Sequence, residues 1–436
     1  MPAGYEMLRD RTLTGDVSDN VEPDAQAGAL GWRYLLFAFG LSTALTSGWV
    51  RRTLIGWQAW ELTHSSSWIG IIGFCALMPM LLVGPLAGVA VDRHPARHML
   101  FITQISGLVL TLALGALAWG RLIDVSFLLA VTIGTAITVS FESPASNVFI
   151  RAIVREDALA RAISVNSVIG NGALLVAPGL AVFLLGKLGL TAAYLIAAIG
   201  HLACLACVFI VRAPATPVAE DTERSGYLGD IKSGLRYVGK SAELRMLFTS
   251  FFIVSVGARS LTYLMPAFAA ERFANSPEIL GILLSALAAG AVCAGLCIGL
   301  QKTGFDVWTM LLWSIVANAA CLAAVAGLPG LTLATVSMFS LGVAFACNSI
   351  STQTALQTIT PQQMNGRMLS LYGIAFRTGP ALGSLALGAF AATFGMVGAE
   401  LLAAAGMAVY AGSIWFCWAG AAAPTPKQFG NRSRRL

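Results

Sequence analysis

The sequence predicts an all-α membrane fold: twelve transmembrane helices in two pseudo-symmetric six-helix bundles. Three observations carry this. The 436 residues are 57% hydrophobic and only 11% charged, with 45 glycines, which excludes an ordinary soluble globule. Apolar segments of about 20 residues, the length needed to cross a bilayer, recur along the chain. The second half of the chain repeats the spacing of the first.

The candidate spans, in order, are 34–62, 67–91, 99–119, 124–150, 160–187, 190–212, 245–270, 278–301, 306–328, 331–357, 366–394 and 397–419. Residues 1–31 carry Asp10, Asp16, Asp19, Glu22 and Asp24 and lack an apolar core. They are expected to be a disordered cytoplasmic tail and not a signal peptide. Residues 32–212 form the first bundle and 245–419 the second. Between them, 213–244 reads as a polar inter-half loop, followed by Tyr227, Leu228, Ile231, Leu235 and Val238 at the spacing of an amphipathic interfacial helix. Residues 420–436 are a basic tail in which Lys427, Arg432, Arg434 and Arg435 are expected to meet anionic lipid.

Charge sets the orientation. With a cytoplasmic N-terminus, the inner loops and tails hold 20 Lys/Arg and the outer loops hold three, Arg121, Lys187 and Arg272. Both termini are therefore expected in the cytoplasm, in a multi-pass protein of the cell (inner) membrane. The net charge of +6 belongs to membrane-flanking residues, and no nucleic-acid partner is implied. All eight cysteines fall within spans, where they read as small apolar packing groups.

The repeat is explicit. Gly70, Gly84 and Gly88 return as Gly281, Gly295 and Gly299, and Ser47-x3-Arg51 returns as Ser255-x3-Arg259. Glu142-Ser143-x7-Arg151 to Arg161-x2-Ser164 returns as Asn348-Ser349-x7-Gln357 to Arg367-x2-Ser370. Matches of this kind indicate two six-helix halves in the same orientation.

The segment Gly88-Val-Ala-Val-Asp92-Arg93-His-Pro-Ala-Arg97-His98 resembles the cytoplasmic loop signature of the major facilitator superfamily. Within it, the chain is similar to the branch of bacterial exporters that includes the enterobactin exporter and macrolide efflux proteins. The likeness runs through Gly56-Trp57 to Thr63, Phe141-Glu-Ser-Pro144-Ala145, Arg155-Glu-Asp157, Asn166-Ser167, Gly234-Leu-Arg-Tyr-Val238 and Gly366 to Ser384. It departs from the branch at Ser146, where arginine is common, and at Ala177, which replaces the glycine of a Gly-Pro pair. The resemblance implies alternating access about a central cavity lined by the first, fourth, seventh and tenth helices. It also implies that Gly88, Asp92, Arg93 and Arg97 hold the cytoplasmic side closed in the outward-facing state; the competing reading is an ordinary charged connector. Gly172, Pro178, Gly179 and Pro380 are read as a helix-bend motif, in the fifth span like that of antiporters, or as simple packing.

Arg51, Arg52, Arg259 and Arg377 lie inside apolar segments, and an ionisable group at that depth is a functional-site hypothesis by default. A helical wheel puts Thr43, Ser47, Arg51 and Gln58 on one face and turns Arg52 about 100° away. Arg51 is therefore expected in the cavity with Gln58, and Arg52 at a helix contact, packed or ion-paired. Across the repeat, Arg259 and Tyr263 form the matching stripe, Asn348 matches Glu142, and Arg377 adds a further cation. Arg51 and Arg259 are expected to hold a cargo's negative charge from opposite halves. Glu142, with Arg52 beside it, is the candidate proton-coupling site, because a carboxylate can hold or release a proton as its surroundings change. The alternative is a fixed Glu142–arginine pair. Glu61 and Glu400 are placed near the outer surface.

The resulting expectation is a secondary active transporter, a proton-coupled antiporter effluxing an amphipathic, anionic small molecule such as a siderophore. Its partners are the substrate, the lipid bilayer and protons, and it is expected as a monomer. The alternatives are a drug or macrolide exporter, a lysophospholipid-type lipid transporter, or a non-transporting assembly or sensor protein. No enzymatic activity, cofactor, metal or nucleotide-binding loop is expected, so energy is expected to come from a gradient.

Overall fold

The computed structural model describes residues 30–212, 227–273, 276–300 and 306–420. The two tails, most of the polar inter-half loop and their expected lipid contacts lie outside the described residues. What is described is helical throughout. α1 spans Trp32–Thr63, and the second span is broken into α2, Ser66–Cys75, and α3, Met78–Arg93. α4 spans Ala96–Trp119, α5 Val125–Ile153 and α6 Leu159–Ile210. The expected interfacial helix is α7, Tyr227–Lys240. The next span is α8, Ala242–Val254, a π-helical turn at Ser255–Arg259, and α9, Leu261–Arg272. α10, Pro277–Leu300, α11, Val307–Gly327, α12, Leu331–Ile359, and α13, Gln362–Gly420, complete the fold.

Local chemistry sets the helix ends. Asp124 accepts from the Phe127 amide at 2.8 Å, Ser241 from Leu244 at 3.3 Å and Asp306 from Trp308 at 3.2 Å, the usual satisfaction of first-turn donors. α6 and α13, at 52 and 59 residues, are interrupted at Gly189 (φ 79°) and Gly395 (φ 74°), where only glycine adopts the left-handed backbone without strain. Among the described residues, nine helical segments are long and apolar enough to cross a membrane, with each of these two counted once.

In a bilayer, helices associate by close packing at small residues rather than by excluding water. A Cβ on Gly40 would meet the Cys207 side chain at 2.8 Å, and one on Gly200 would run into Ser47 and Thr43, so α1 and α6 lie backbone to backbone. Gly290 and Gly342 fit reciprocally against Phe339 and Leu287, locking α10 to α12. Outward-facing Phe39, Leu82, Val109, Phe183, Trp313 and Val336 are exposed, as a lipid-facing surface requires.

The N-terminal and C-terminal parts of the chain touch mainly at one end. There Gly70 abuts Ser384 and Gly388, Gly56 abuts Pro266 at 2.9 Å, and Gly281 abuts Val182 and Pro178. Toward the other end, Gly84, Gly88, Gly170, Gly172, Gly295 and Gly299 face open space. The glycines paired in the repeat behave alike: Gly70 and Gly281 close one end, while Gly84/Gly88 and Gly295/Gly299 border the opening.

Candidate functional site

The four apolar-segment arginines divide into two environments. Arg51 is only 3% exposed and sits inside the first half, between α1, α4 and α6. Its Nη1 group, with two N–H protons shared among three acceptors, lies within hydrogen-bond reach of the Gly107 carbonyl at 3.0 Å, the Thr111 hydroxyl and His201 Nε2 at 3.2 Å. A Cβ on Gly107 would meet the His201 ring at 2.7 Å, so that glycine makes room for the imidazole. Gln58, on the same face of α1, is likewise buried in the first half, where its carbonyl accepts from Tyr194 at 2.9 Å.

Arg52 points the other way. Its guanidinium lies 4.7 Å from the Trp49 ring centroid and 3.9 Å from that of Tyr263, which α9 brings from the second half. The expected division of α1 is therefore reversed: Arg51 is the packed residue and Arg52 faces the junction of the halves. A wheel gives the angle between two side chains but not which side meets the cleft.

Arg259 stacks on Phe376 at 3.2 Å and reaches Phe345 at 5.4 Å, while its Nη1 is buried with no hydrogen-bond partner. It ends the π-helical turn, a feature that often marks functional sites because it re-aims the side chains after it. Arg52, Arg377, Tyr263 and Tyr372 all lie close enough to act on its charge. Arg377 is half-buried beside Gly373, and Tyr372 shares a 2.6 Å hydrogen bond with Ser349. Among the described residues, no carboxylate forms an ion pair with Arg52, Arg259 or Arg377. Cations on α1, the Ser255–Arg259 turn and α13 thus share a partly aromatic setting with uncompensated charge.

Other expected site residues are placed differently. Asn348 is fully buried, donating to Ser314 Oγ at 3.0 Å between α12 and α11, so it holds two helices together and does not line the junction. Glu400, expected near the outer surface, is 0% exposed with neither carboxylate oxygen hydrogen-bonded, whereas Glu61 is exposed and accepts from the Trp57 indole at 2.7 Å. Glu142 is half-buried and is not paired with Arg52; its Oε1 accepts from Gln104 Nε2 at 2.9 Å. Asp92 and Arg93 are exposed at the open end beside Gly88. Arg97 donates to the Val208 and Phe209 carbonyls at 3.1 and 2.8 Å, a cation satisfying the C-terminal carbonyls of α6. Pro178 and Gly179 lie at the contact between α6 and α10, with Gly179 opposite Ser285, whereas Gly172 faces open space. Pro380 is buried in α13, next to Gly379, whose Cβ would meet Ser255 at 2.6 Å.

One match of letters opposes the expectation that no nucleotide-binding loop is present. Gly234-Leu-Arg-Tyr-Val-Gly239-Lys240-Ser241 fits the phosphate-loop pattern. Such a loop follows a strand and presents unpaired amides to phosphate. Here seven of its eight residues belong to α7, the Ser241 hydroxyl caps α8, and no strand occurs among the described residues. Gly234 serves packing: its Cβ would meet Leu371 at 2.9 Å. In this helical context the letters do not form a phosphate cradle.

A concavity of about 460 Å³ lies elsewhere, between α10, α11 and α12, lined by Cys293, Cys297, Cys347, Asp306 and Met310. It contains none of the arginines. Among the described residues, no His/Cys/Asp/Glu group could hold a metal ion.

Residues 34–419 match the family model described as transmembrane secretion effector. The chain belongs to this family of the major facilitator superfamily. It is 24% identical over 249 residues to the staphyloferrin A transporter of Staphylococcus aureus, covering 57% of this chain and 62% of that one. It thus spans less than two thirds of that relative's length. The multidrug efflux pump Tap of Mycolicibacterium fortuitum is 24% identical over 381 residues, 83% and 90% of the two chains. Macrolide efflux protein A of Streptococcus pyogenes is 23% identical over 271 residues, 61% and 66%. Among solved structures, a bacterial homologue of the human lysosomal transporter Spinster, inward-facing and occupied, superposes with a TM-score of 0.70 at 16% identity, covering 88% and 96%. A nucleoside transporter superposes at 0.68 and 15%, covering 88% and 98%. These likenesses give the fold. The chain is a multi-pass membrane protein, and its family and fold point to a transporter rather than an enzyme.

Proposed function

We propose that this transporter exports an amphipathic, anionic small molecule such as a siderophore across the inner membrane by proton-coupled alternating access. The observation that carries the reading is the grouping of Arg52, Arg259 and Arg377 among aromatic rings with no paired carboxylate. A bound anion relieves that charge, and guanidinium forks match carboxylate or catecholate oxygens. The rings offer apolar faces to the rest of the cargo. The match to a staphyloferrin A transporter supports the anionic class, and Arg52 takes the place expected of Arg51.

The architecture proposed is twelve crossings in two six-helix bundles. Counting two spans in each of α6 and α13, and adding α1, raises the nine apolar segments to twelve. Both termini are cytoplasmic, on the positive-inside asymmetry, and the protein works as a monomer. On that orientation the open end bearing the Asp92 loop is cytoplasmic, and the described state is inward-facing. Glu142 is the proton-coupling carboxylate.

The test uses purified protein and reconstituted vesicles, with citrate-, catecholate- and hydroxamate-type siderophores as probes. Arg52→Gln and Arg259→Gln should each cost about 2–5 kcal/mol of binding if the partner oxygen is desolvated. Glu142→Gln should abolish transport driven by an imposed pH gradient and leave passive exchange intact. Preference for neutral or cationic cargo, indifferent to both arginine changes, would sink the anion reading and favour a drug exporter, which the match to Tap independently supports.

A further inference from the structure

Glu142 and Arg51 are joined by a continuous chain of hydrogen bonds buried in the first half. Arg51 Nη1 meets His201 Nε2 at 3.2 Å, His201 Nδ1 meets Gln104 Oε1 at 2.9 Å, and Gln104 Nε2 donates to Glu142 Oε1 at 2.9 Å. The direction of each bond follows from the ends. Arginine can only donate, so His201 Nε2 accepts and the ring proton sits on Nδ1. That proton needs an acceptor, so the Gln104 carbonyl faces the ring and its amide N–H faces Glu142. An ionised carboxylate only accepts, and the chain is complete and fully satisfied.

We infer that Gln104 and His201 form a directional relay through which protonation of Glu142 releases Arg51 from His201. The inference rests on the proposal that Glu142 takes up a proton. Placed on Oε1, the oxygen that meets Gln104, the proton makes Glu142 an O–H donor facing another donor, the Gln104 amide N–H. Turning the amide over presents its carbonyl to Glu142 and satisfies the new proton. The amide N–H then faces His201 Nδ1–H, again donor to donor. The ring must turn away, and Nε2 withdraws from Arg51. Nothing is transferred beyond the one proton that Glu142 binds. Buried polar groups strongly disfavour unsatisfied states, so the rearrangement propagates rather than stopping midway.

Other groups around the relay do not supply the trigger. Arg51 on α1 and Cys204 on α6 act electrostatically with Glu142, and Tyr194 on α6 acts on Arg51 while donating to Gln58. α4 contributes Gln104 and Thr111, which do not titrate. α2 carries no charged side chain, and α3 carries Asp92 and Arg93 at its C-terminal end. The gap between His201 and Gln104 in sequence, 97 residues, is bridged only because α4 and α6 pack side by side at Gly107.

The test is infrared difference spectroscopy of the full chain in lipid nanodiscs, titrated in pH with isotope-labelled histidine. The Glu142 carboxyl band is the one lost in Glu142→Gln, and the His201 ring band is the one lost in His201→Phe. In the parent the two bands should change with a common midpoint. In Gln104→Met, which keeps the shape and removes the hydrogen bonds, the ring band should stop responding to the Glu142 midpoint. Gln104→Leu, which also removes both hydrogen bonds, should do the same if the methionine variant fails to fold. A ring band that stays fixed through the parent titration, or follows it unchanged in both Gln104 variants, overturns the relay. So does absence of any Glu142 titration. The two proposals fail separately: pH-gradient transport surviving in Glu142→Gln removes proton coupling but leaves coupled bands standing, whereas uncoupled bands with gradient transport lost remove only the relay.

Discussion

Arg51 and Arg52 are adjacent, chemically identical and oppositely placed, so the contrast between them can be measured. Arg51 saturates a carbonyl, a hydroxyl and an imidazole inside the first half, and Arg51→Gln leaves buried acceptors without donors. The expected cost is about 1–3 kcal/mol of stability per group left unsatisfied, seen as earlier thermal unfolding in detergent. Arg52→Gln leaves that network intact and should unfold normally while binding cargo poorly. Equal stability of the two variants would contradict the assignment. The sequence showed that all four arginines were unusual, because ionisable groups inside apolar segments stand out by composition alone. It did not show which faced inward, since the interior of a bundle and the junction between bundles are both polar at that depth. The available signal was in the partners. Gln104, Thr111 and His201 are polar residues inside the third and sixth spans, and Gln104 and Thr111, two turns apart, share one face of their helix, the mark of an internal network. The burial of Glu400 was not legible for a similar reason: nearness to a span end says nothing of burial, and its carboxylate is covered completely.

At the level of elements, helix positions were legible in the residues and helix ends were not. Length and hydropathy locate a span, but continuation beyond the bilayer depends on caps and turns. The fourth span runs to Ile153 because no breaker intervenes, and the fifth and sixth are joined in one helix kinked at Gly189. The π-helical turn before Ser260 has no sequence signature, since it adds a residue to a turn without altering composition. The repeated glycines were legible, and their use is now specific. A Cβ on Gly70 would collide with the Ser384 carbonyl of α13 at the closed end. Overpacking there, as in Gly70→Val, costs about 1–3 kcal/mol in this arrangement and shifts a two-state equilibrium by roughly five- to 150-fold. Hydrogen exchange should then rise in peptides covering 63–75 and 384–395 and fall in those covering 84–98. Gly84→Val, facing open space here, should not produce that pattern. Identical exchange in the parent and Gly70→Val would show that the contact does not control the closed end.

For the whole molecule, the proposed alternating access requires at least two arrangements of one sequence, and only one of them is visible. The repeat does not reveal which end stands open, because the spacing of small residues is the same whichever end they close. In the described state the Asp92 loop lies at the open end, and Arg97 is held by the α6 carbonyls, so the loop's proposed role belongs to the other arrangement. A carboxylate placed against a neighbouring helix N-terminus, with arginines beside it, would fasten that end when it closes. Asp92→Asn removes the charge and keeps the shape. The variant should fold, reach the membrane and bind cargo with near-parental affinity, since Asp92 is not among the groups that act on Arg259. Its population should move further toward the state open at the loop, raising exchange in 84–98, and transport should fall because one half of the cycle is disfavoured. A ligand shifts such an equilibrium only by its difference in affinity for the two states, so saturating cargo should not restore the rate unless it prefers the closed form. Binding weakened about tenfold, or roughly 1.4 kcal/mol, with no change in exchange at either end, would place Asp92 in the cargo site and remove it from the gate.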